Sequence, residues 1–490
     1  MTQVVVPLGD AEPAALLARA ARARQLGADL LELRLDLALA AGARAADLLA
    51  VLPQLPLPAI VTVRHQREGG RWQDDERARL RLYEEAEARG AAWIDRELAA
   101  QREHPWRPTR ARLLLSYHAW SGAGQALPEV VAAMRAAGAD LAKLAVLVRD
   151  AAELAALRAL HDRRGPVAAM AMGEAGLPSR VLAGVWGAAL VYARLPEDPG
   201  TAPGQPALDE LLTLYRLRAQ RPETAVYGVI GAPIAHSLSP LVHNLGFAHH
   251  GIDAVYAPFL VHDARAFWQA CGDWFGGLSV TVPHKQTLAA LLAECEPEAA
   301  PIGAINTVYR RADRCCGANT DAEAVRRCCE RALGGSLHGR CALVLGAGGA
   351  ARAAVHALRA AGARVLIANR TPQRAAELAA EFAATVVPLA QAATAPYDIL
   401  INATTVGLRA PDDTPWPHPL RPEALVFDMV YDPLDTGLLR RARAAGCSVV
   451  SGLDMFLEQA SGQFRRWTGR ELPMAEARAA CLARLAQRSV

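Results

Sequence analysis

Lys143 lies inside the apolar run Asp140-Leu-Ala-Lys-Leu-Ala-Val146, a stretch whose composition suits a buried strand. Taking an ammonium out of water favours its neutral form, and a neutral amine adds to carbonyl carbon to give an imine. A second strand-like run, Leu113-Leu-Leu-Ser-Tyr-His118, ends in the side chain best suited to carry a proton near pH 7. Glu32, Arg34 and Arg64 interrupt other apolar runs. Glu32 and Arg34 are two apart and share one strand face. Buried charges of this kind need one another or a charged ligand. A lone lysine could simply snorkel from a strand end, and a structural ion-pair network could hold the rest. Such a network would not need a lysine and a histidine on separate strands.

A different chemistry is written further along. Gly346-Ala347-Gly348-Gly349-Ala350 joins an apolar run at 341–345 to a helical stretch ending near 361, and a new strand follows at 364–368. This is the βαβ context in which glycines let a pyrophosphate approach backbone N–H groups. The second strand leads into Asn369-Arg370-Thr371, where an NAD site would place an acid for the ribose hydroxyl. An amide, a guanidinium and a hydroxyl suit a 2′-phosphate, so the expected cofactor is NADP(H). The alternative is that Arg370 is an ordinary solvated residue at a helix start.

The elements that must position these groups follow from periodicity. Short apolar strands are expected at 4–8, 30–36, 59–65, 92–98, 113–118, 140–146, 167–172 and 188–195. Helical stretches at 13–26, 74–89 and 128–137 separate them. Eight βα units in about 220 residues predict a closed (β/α)8 barrel, with a doubly wound sheet as the alternative. The polar positions fall toward the C-terminal strand ends, where such barrels carry their sites. A loop at 196–205 and a last helix at 207–221 close this half, and 221–224 leads to a strand at 225–230. A chain of 490 residues requires two domains or more.

Composition narrows the partners. The net charge is +3 with no dense basic block, so nucleic acid is not an expected partner. No apolar stretch has the length to cross a bilayer, and the first residues enter a strand without a leader-like pattern, so a soluble cytoplasmic protein is expected. Arginine greatly outnumbers lysine, which makes each internal lysine conspicuous. All nine cysteines lie at or after Cys271. The doublets Cys315-Cys316 and Cys328-Cys329 lack the two-residue gap of a zinc site, so no metal is expected. Nothing in the chain fixes an oligomeric state.

With these motifs assembled, the first half resembles type I 3-dehydroquinate dehydratases and the second resembles shikimate dehydrogenases, in the order of fused dehydratase–dehydrogenase proteins. The resemblance implies a barrel at 1–221, a shikimate-binding catalytic domain at 225–337 completed by 446–490, and a Rossmann NADP-binding domain at 338–445. In the first half it implies that Lys143 forms an imine with the C3 ketone of 3-dehydroquinate. His118 would move the C2 proton, and Glu68 would orient it. Arg180 would hold the substrate carboxylate; Glu32, Arg34 and Arg64 would hold ring hydroxyls. Thr201 and Gln205 would sit on the lid, with Thr201 standing where the family usually has serine. In the second half the resemblance implies Ser237 and Ser239 at the shikimate carboxylate, with Thr281, Asn306 and Gln459 also at the substrate. Lys285 and Asp321 would meet the reacting oxygen of 3-dehydroshikimate. Ala322 replaces a common glycine and would cost roughly 1 kcal/mol if that turn needs positive φ. Two other readings remain, a catabolic quinate dehydrogenase module and a metabolite sensor with eroded sites. The retained serines and lysines argue against both.

Overall fold

A computed structural model describes residues 1–73, 75–120, 126–161 and 165–488. They form two compact units, Met1–Tyr227 with Asp253–Phe275, and Gly228–Ile252 with Gly276–Val490.

All eight expected strands of the first half are present: β1 (Gln3–Leu8), β2 (Leu30–Arg34), β3 (Ala59–Thr62), β4 (Trp93–Glu97), β5 (Arg112–Ala119), β6 (Leu141–Leu147), β7 (Val167–Met172) and β8 (Leu190–Tyr192). They pair in parallel in the order β7–β6–β5–β4–β3–β2–β1–β8. The Ala189 N–H donates to the Val167 carbonyl at 2.8 Å and bridges the two ends of the sheet. The barrel is therefore the outcome, not the doubly wound sheet. Helices Pro13–Gln25, Glu76–Ala88 and Leu127–Ala136 occupy the expected stretches, Asp75 capping the second by accepting from the Ala78 N–H. The expected start at Asp74 lies outside the described residues.

Period-2 alternation explains how one barrel holds both a core and a site. Leu30, Ile60, Trp93, Leu114 and Leu141 pack into a single apolar cluster. Two residues further along each of those strands stand Glu32, Thr62, Asp95, Ser116 and Lys143, all buried. Each strand thus turns from plug to polar layer within one repeat. Lys143 is the third residue of β6, inside the strand, so it is not a lysine snorkelling from a strand end.

The expected last helix is shorter than 207–221. It runs over Leu208–Thr213, and Arg216, with φ +48°, breaks helical continuity before a short 3-10 turn at Leu217–Ala219.

The remaining strands are β9 (Ala225–Gly231), β10 (Ala254–Leu260), β11 (Phe275–Val280), β12 (Glu294–Cys295), β13 (Thr307–Arg311), β14 (Arg314–Ala318), β15 (Cys341–Leu345), β16 (Arg364–Ala368), β17 (Thr385–Val386), β18 (Ile399–Asn402), β19 (Leu425–Asp428) and β20 (Ser448–Val450). β9–β14 belong to a mixed sheet ordered β10–β9–β11–β13–β14–β12, in which β11 and β14 both run antiparallel to β13. β15–β20 form a wholly parallel sheet ordered β17–β16–β15–β18–β19–β20. Fully buried Leu343, Val344, Ile367, Ile399, Ile401 and Phe427 fill both of its faces. The helix Gly452–Thr468 opens on a capping box between Ser451 and Asp454. All nine cysteines are free, and seven are buried.

Candidate functional sites

The barrel pocket has a volume of ≈ 70 Å³, and Lys143 forms part of its wall. The Lys143 ammonium donates to Asp95 Oδ2 at 2.9 Å and to Glu32 Oε1 at 3.1 Å. This overturns the expectation of an amine neutralised by burial. Desolvation does oppose the charge, but the carboxylates of Asp95 and Glu32 outweigh it and hold the Lys143 pKa above its ordinary value. Asp95 is held well below the usual carboxylate range, its own burial offset by Arg64 and Lys143.

Around this pair the polar layer is continuous. Arg64 donates to both oxygens of Asp95 at 2.8 Å and to the Ser116 hydroxyl at 2.6 Å. Thr62 donates to Glu32 at 2.9 Å, and Arg34 makes a two-pronged pair with Asp36. Glu68 Oε2 lies 2.9 Å from His118 Nδ1 and also accepts the His118 backbone N–H at 3.0 Å. Burial, followed by the Arg64 and Lys143 charges, holds His118 well below its ordinary pKa, so the ring is neutral. With Nδ1–H committed to Glu68, Nε2 is a free base. Burial also lifts Glu68 to about 7.

Arg180 is 1% exposed and has no carboxylate partner among the described residues. Burial alone lowers its pKa to about 10. An uncompensated guanidinium waiting inside a pocket calls for an anion from outside. Arg180→Met should therefore stabilise the ligand-free protein by roughly 1–4 kcal/mol, read by denaturant unfolding, while destroying anion affinity. Gln205 accepts from the Thr201 N–H at 2.9 Å, and its own amide nitrogen is left without a partner at the pocket wall.

Sequence reasoning passed over Asp95 and Tyr192. Asp95 sits in Trp93-Ile-Asp-Arg-Glu97, where a charge inside an apolar strand was the very signal that marked Glu32 and Lys143. Tyr192 carried no such signal, since a tyrosine in an apolar run reads as core.

The second pocket, ≈ 360 Å³, is lined by Ser237, Ser239, Thr281, Lys285, Asn306, Asp321 and Gln459, so seven expected residues converge there. Lys285 Nζ donates to Asp321 Oδ2 at 2.5 Å, and Asn306 Nδ2 donates to the other Asp321 oxygen at 2.8 Å. Asn306 also reaches Gln459 Oε1 at 3.4 Å. Gln463, not anticipated, donates to the Asn306 carbonyl at 2.9 Å and so fixes that strand against the helix Gly452–Thr468. Tyr431, Met429 and Phe456 complete the wall. Ala322 is unstrained: it lies in the helix Thr320–Leu333 and donates its N–H to Asn319 Oδ1 at 3.1 Å. Among the described residues, the positive-φ positions other than glycine are Arg216, Ala312 and Ala383, so Ala322 carries no such cost.

The dinucleotide turn fits its group. Gly346 has φ +114°, and a Cβ there would stand 2.9 Å from the Ala403 carbonyl oxygen. A Cβ at Gly348 or Gly349 would meet nothing within 4 Å, so bare backbone faces open space. The helix Gly349–Ala360 starts with no side-chain cap and no acid in its first turn, leaving N–H groups for an anion. Ala347 precedes them, and Ala350 borders the second pocket. At the end of β16, Asn369 Nδ2 donates to the Thr371 carbonyl at 2.9 Å, holding a turn on which Arg370 is exposed.

Both sites place a lysine against a carboxylate, and the chain contains no other lysine. Fold and sites together define a two-site α/β enzyme, a barrel lyase joined to a dinucleotide-dependent oxidoreductase. Family models match along the chain in that order: type I 3-dehydroquinase at 4–222, the shikimate dehydrogenase substrate binding domain at 229–308, shikimate/quinate 5-dehydrogenase at 328–408, and the shikimate 5′-dehydrogenase C-terminal domain at 452–482. The chloroplastic bifunctional 3-dehydroquinate dehydratase/shikimate dehydrogenase of Arabidopsis thaliana is 36% identical over 480 residues, covering 92% of this chain and 79% of the relative. A shikimate dehydrogenase (NADP(+)) of Moorella thermoacetica is 42% identical over 271 residues, 51% of this chain and 90% of the relative. A shikimate dehydrogenase solved in complex with NADP+ is 32% identical with a TM-score of 0.50, over 54% of this chain and 97% of that one. The chain belongs to the family of bifunctional 3-dehydroquinate dehydratase/shikimate dehydrogenases.

Proposed function

We propose that the chain converts 3-dehydroquinate to 3-dehydroshikimate at the barrel site through an imine on Lys143, and reduces that product to shikimate at the second site with NADPH. The observation that carries this reading is the placement of lysine. The chain has 53 cationic side chains, all arginine but two, and those two each line one of the pockets. Arginine supplies charge but cannot deprotonate, so lysine is needed where an amine must react or give up a proton.

At the barrel site, Glu32 takes a proton from the Lys143 ammonium, and the amine adds to the C3 ketone. The iminium withdraws electrons and acidifies the C2 proton, which His118 Nε2 removes and then delivers to the departing C1 hydroxyl. Ionised Glu68 keeps the imidazole in the required tautomer. Arg180 pairs with the substrate carboxylate, with Glu32, Arg34, Arg64, Thr201 and Gln205 around the ring. The pH dependence follows. Below about 7, Glu68 is protonated and no longer accepts from Nδ1–H. Dehydratase kcat/KM should therefore rise with pH through about 7 and level off above it. Glu68→Gln should flatten that limb and lower the plateau about 10-fold.

At the second site, Ser237 and Ser239 hold the carboxylate, and Thr281, Asn306 and Gln459 hold ring hydroxyls. NADPH, when bound, supplies a hydride to the C3 carbon. Lys285 gives a proton to the C3 oxygen, with Asp321 fixing its amine. Gly346, Gly348 and Gly349 hold the pyrophosphate, and Arg370 with Asn369 and Thr371 holds the 2′-phosphate. Arg370→Asp should weaken NADPH use at least about 10-fold relative to NADH, measured as the ratio of kcat/KM values.

We assign the domains as 1–221, 225–337 with 446–490, and 338–445. We place the protein in the cytoplasm, a reading supported by its free, buried cysteines. The test of the whole reading is a coupled assay. Purified protein given 3-dehydroquinate and NADPH should release shikimate with equimolar NADPH oxidation, and failure to form 3-dehydroshikimate from 3-dehydroquinate would overturn it.

A further inference from the structure

One hydroxyl at the barrel site has no task in the reaction as described above. Tyr192, the last residue of β8, is 5% exposed and lines the pocket, and its ring lies under the Lys143 amine, 4.2 Å from nitrogen to ring centre. Its buried hydroxyl completes no hydrogen bond among the described residues, although the Lys143 ammonium stands near enough to act on it and to work against the burial that raises the phenol pKa. An unpaired hydroxyl is costly to bury, and phenylalanine would fill the same space without that cost. The hydroxyl is accounted for if it finds its partner during turnover.

We infer that Tyr192 is a catalytic residue that donates a hydrogen bond to the C3 oxygen while the imine on Lys143 forms and is hydrolysed. The inference rests on the imine reading given above. The geometry limits which oxygen the phenol can serve. Once the C–N bond exists, the C3 oxygen is two bonds from Nζ, within ~2.5 Å of it. That oxygen is therefore held over or beside the ring whose face the nitrogen already touches. Arg180 and Gln205 offer their unpaired groups elsewhere on the pocket wall.

The step balances without any outside reagent. Lys143 gives one ammonium proton to Glu32 and adds to C3; the C–N bond forms as the carbonyl π bond breaks. A second proton moves from nitrogen to the C3 oxygen, giving the carbinolamine. The carboxylic acid then returns the first proton to that hydroxyl, the C–O bond breaks, water leaves, and the nitrogen lone pair completes the iminium. Tyr192 keeps its proton throughout and stabilises the oxygen while it carries negative charge. Burial, which pushes the phenol pKa up, keeps it a donor.

The test compares the full-length chain with its Tyr192→Phe variant, mixing each with 3-dehydroquinate, quenching with borohydride at timed intervals and weighing the Lys143 peptide. The variant should form the trapped adduct about 10- to 100-fold more slowly, with KM for 3-dehydroquinate within about twofold of the parent, which also shows that its site is intact. Adduct formation at the parent rate would overturn the assignment. So would slower turnover arising only from a raised KM, which would place the hydroxyl on another substrate group. If the parent chain traps no adduct at all, the imine reading itself falls, and this inference with it.

Discussion

Lys143→Ala should lose dehydratase turnover by on the order of 10⁴-fold or more, because removing the nucleophile removes the electron sink on which the later steps depend. The same variant should still reduce 3-dehydroshikimate, since Lys285 and its pocket belong to the other compact unit. Lys143→Arg is equally informative. It keeps a cation between Asp95 and Glu32, so it should preserve stability far better than alanine, yet guanidinium does not form the imine. Alanine leaves two buried carboxylates, Asp95 and Glu32, without a shared cation, and should destabilise the barrel by several kcal/mol, about 3–5. The measurements are the separate rates of 3-dehydroshikimate formation and NADPH oxidation, with denaturant unfolding alongside. A Lys143→Arg variant with substantial dehydratase activity would contradict the role.

Lys285→Met should lower dehydrogenase kcat by about 10²- to 10⁴-fold, the usual worth of a positioned proton donor. Its partner Asp321 also accepts from Asn306 at 2.8 Å, so the carboxylate remains anchored and the pocket should survive the change. KM for 3-dehydroshikimate should shift far less than kcat, because Ser237 and Ser239 lie at the same wall and are untouched. Steady-state kinetics of NADPH oxidation decide the matter; a loss confined to KM would make Lys285 a binding group only.

Much of this architecture is legible in the amino-acid sequence. Strands of the barrel announce themselves because each must be apolar on both faces, and the β15-turn-helix unit does so because Gly346 stands where a side chain would strike the Ala403 carbonyl. Strand ends alone bring His118 to Lys143, but the convergence of Glu68, Arg180 and Gln205 on the same pocket could be reached only through family likeness, since no local pattern brings residues so distant in sequence together. Local reasoning failed on the charge of Lys143. Burial considered alone lowers an amine's pKa, but the sign is set by what is buried beside it. Asp95 comes from a strand 48 residues away. Arg216 is the backbone counterpart of that failure: its left-handed φ of +48° keeps the helix that stops at Thr213 from resuming toward residue 221, where composition alone would continue it.

Two lysines in 490 residues make the central claim unusually easy to test. Treating the full-length protein with 3-dehydroquinate and borohydride, then mapping the product by mass spectrometry, should place one substrate-derived mass on Lys143 and none on Lys285. No adduct at Lys143, or an adduct on Lys285 instead, would contradict the account.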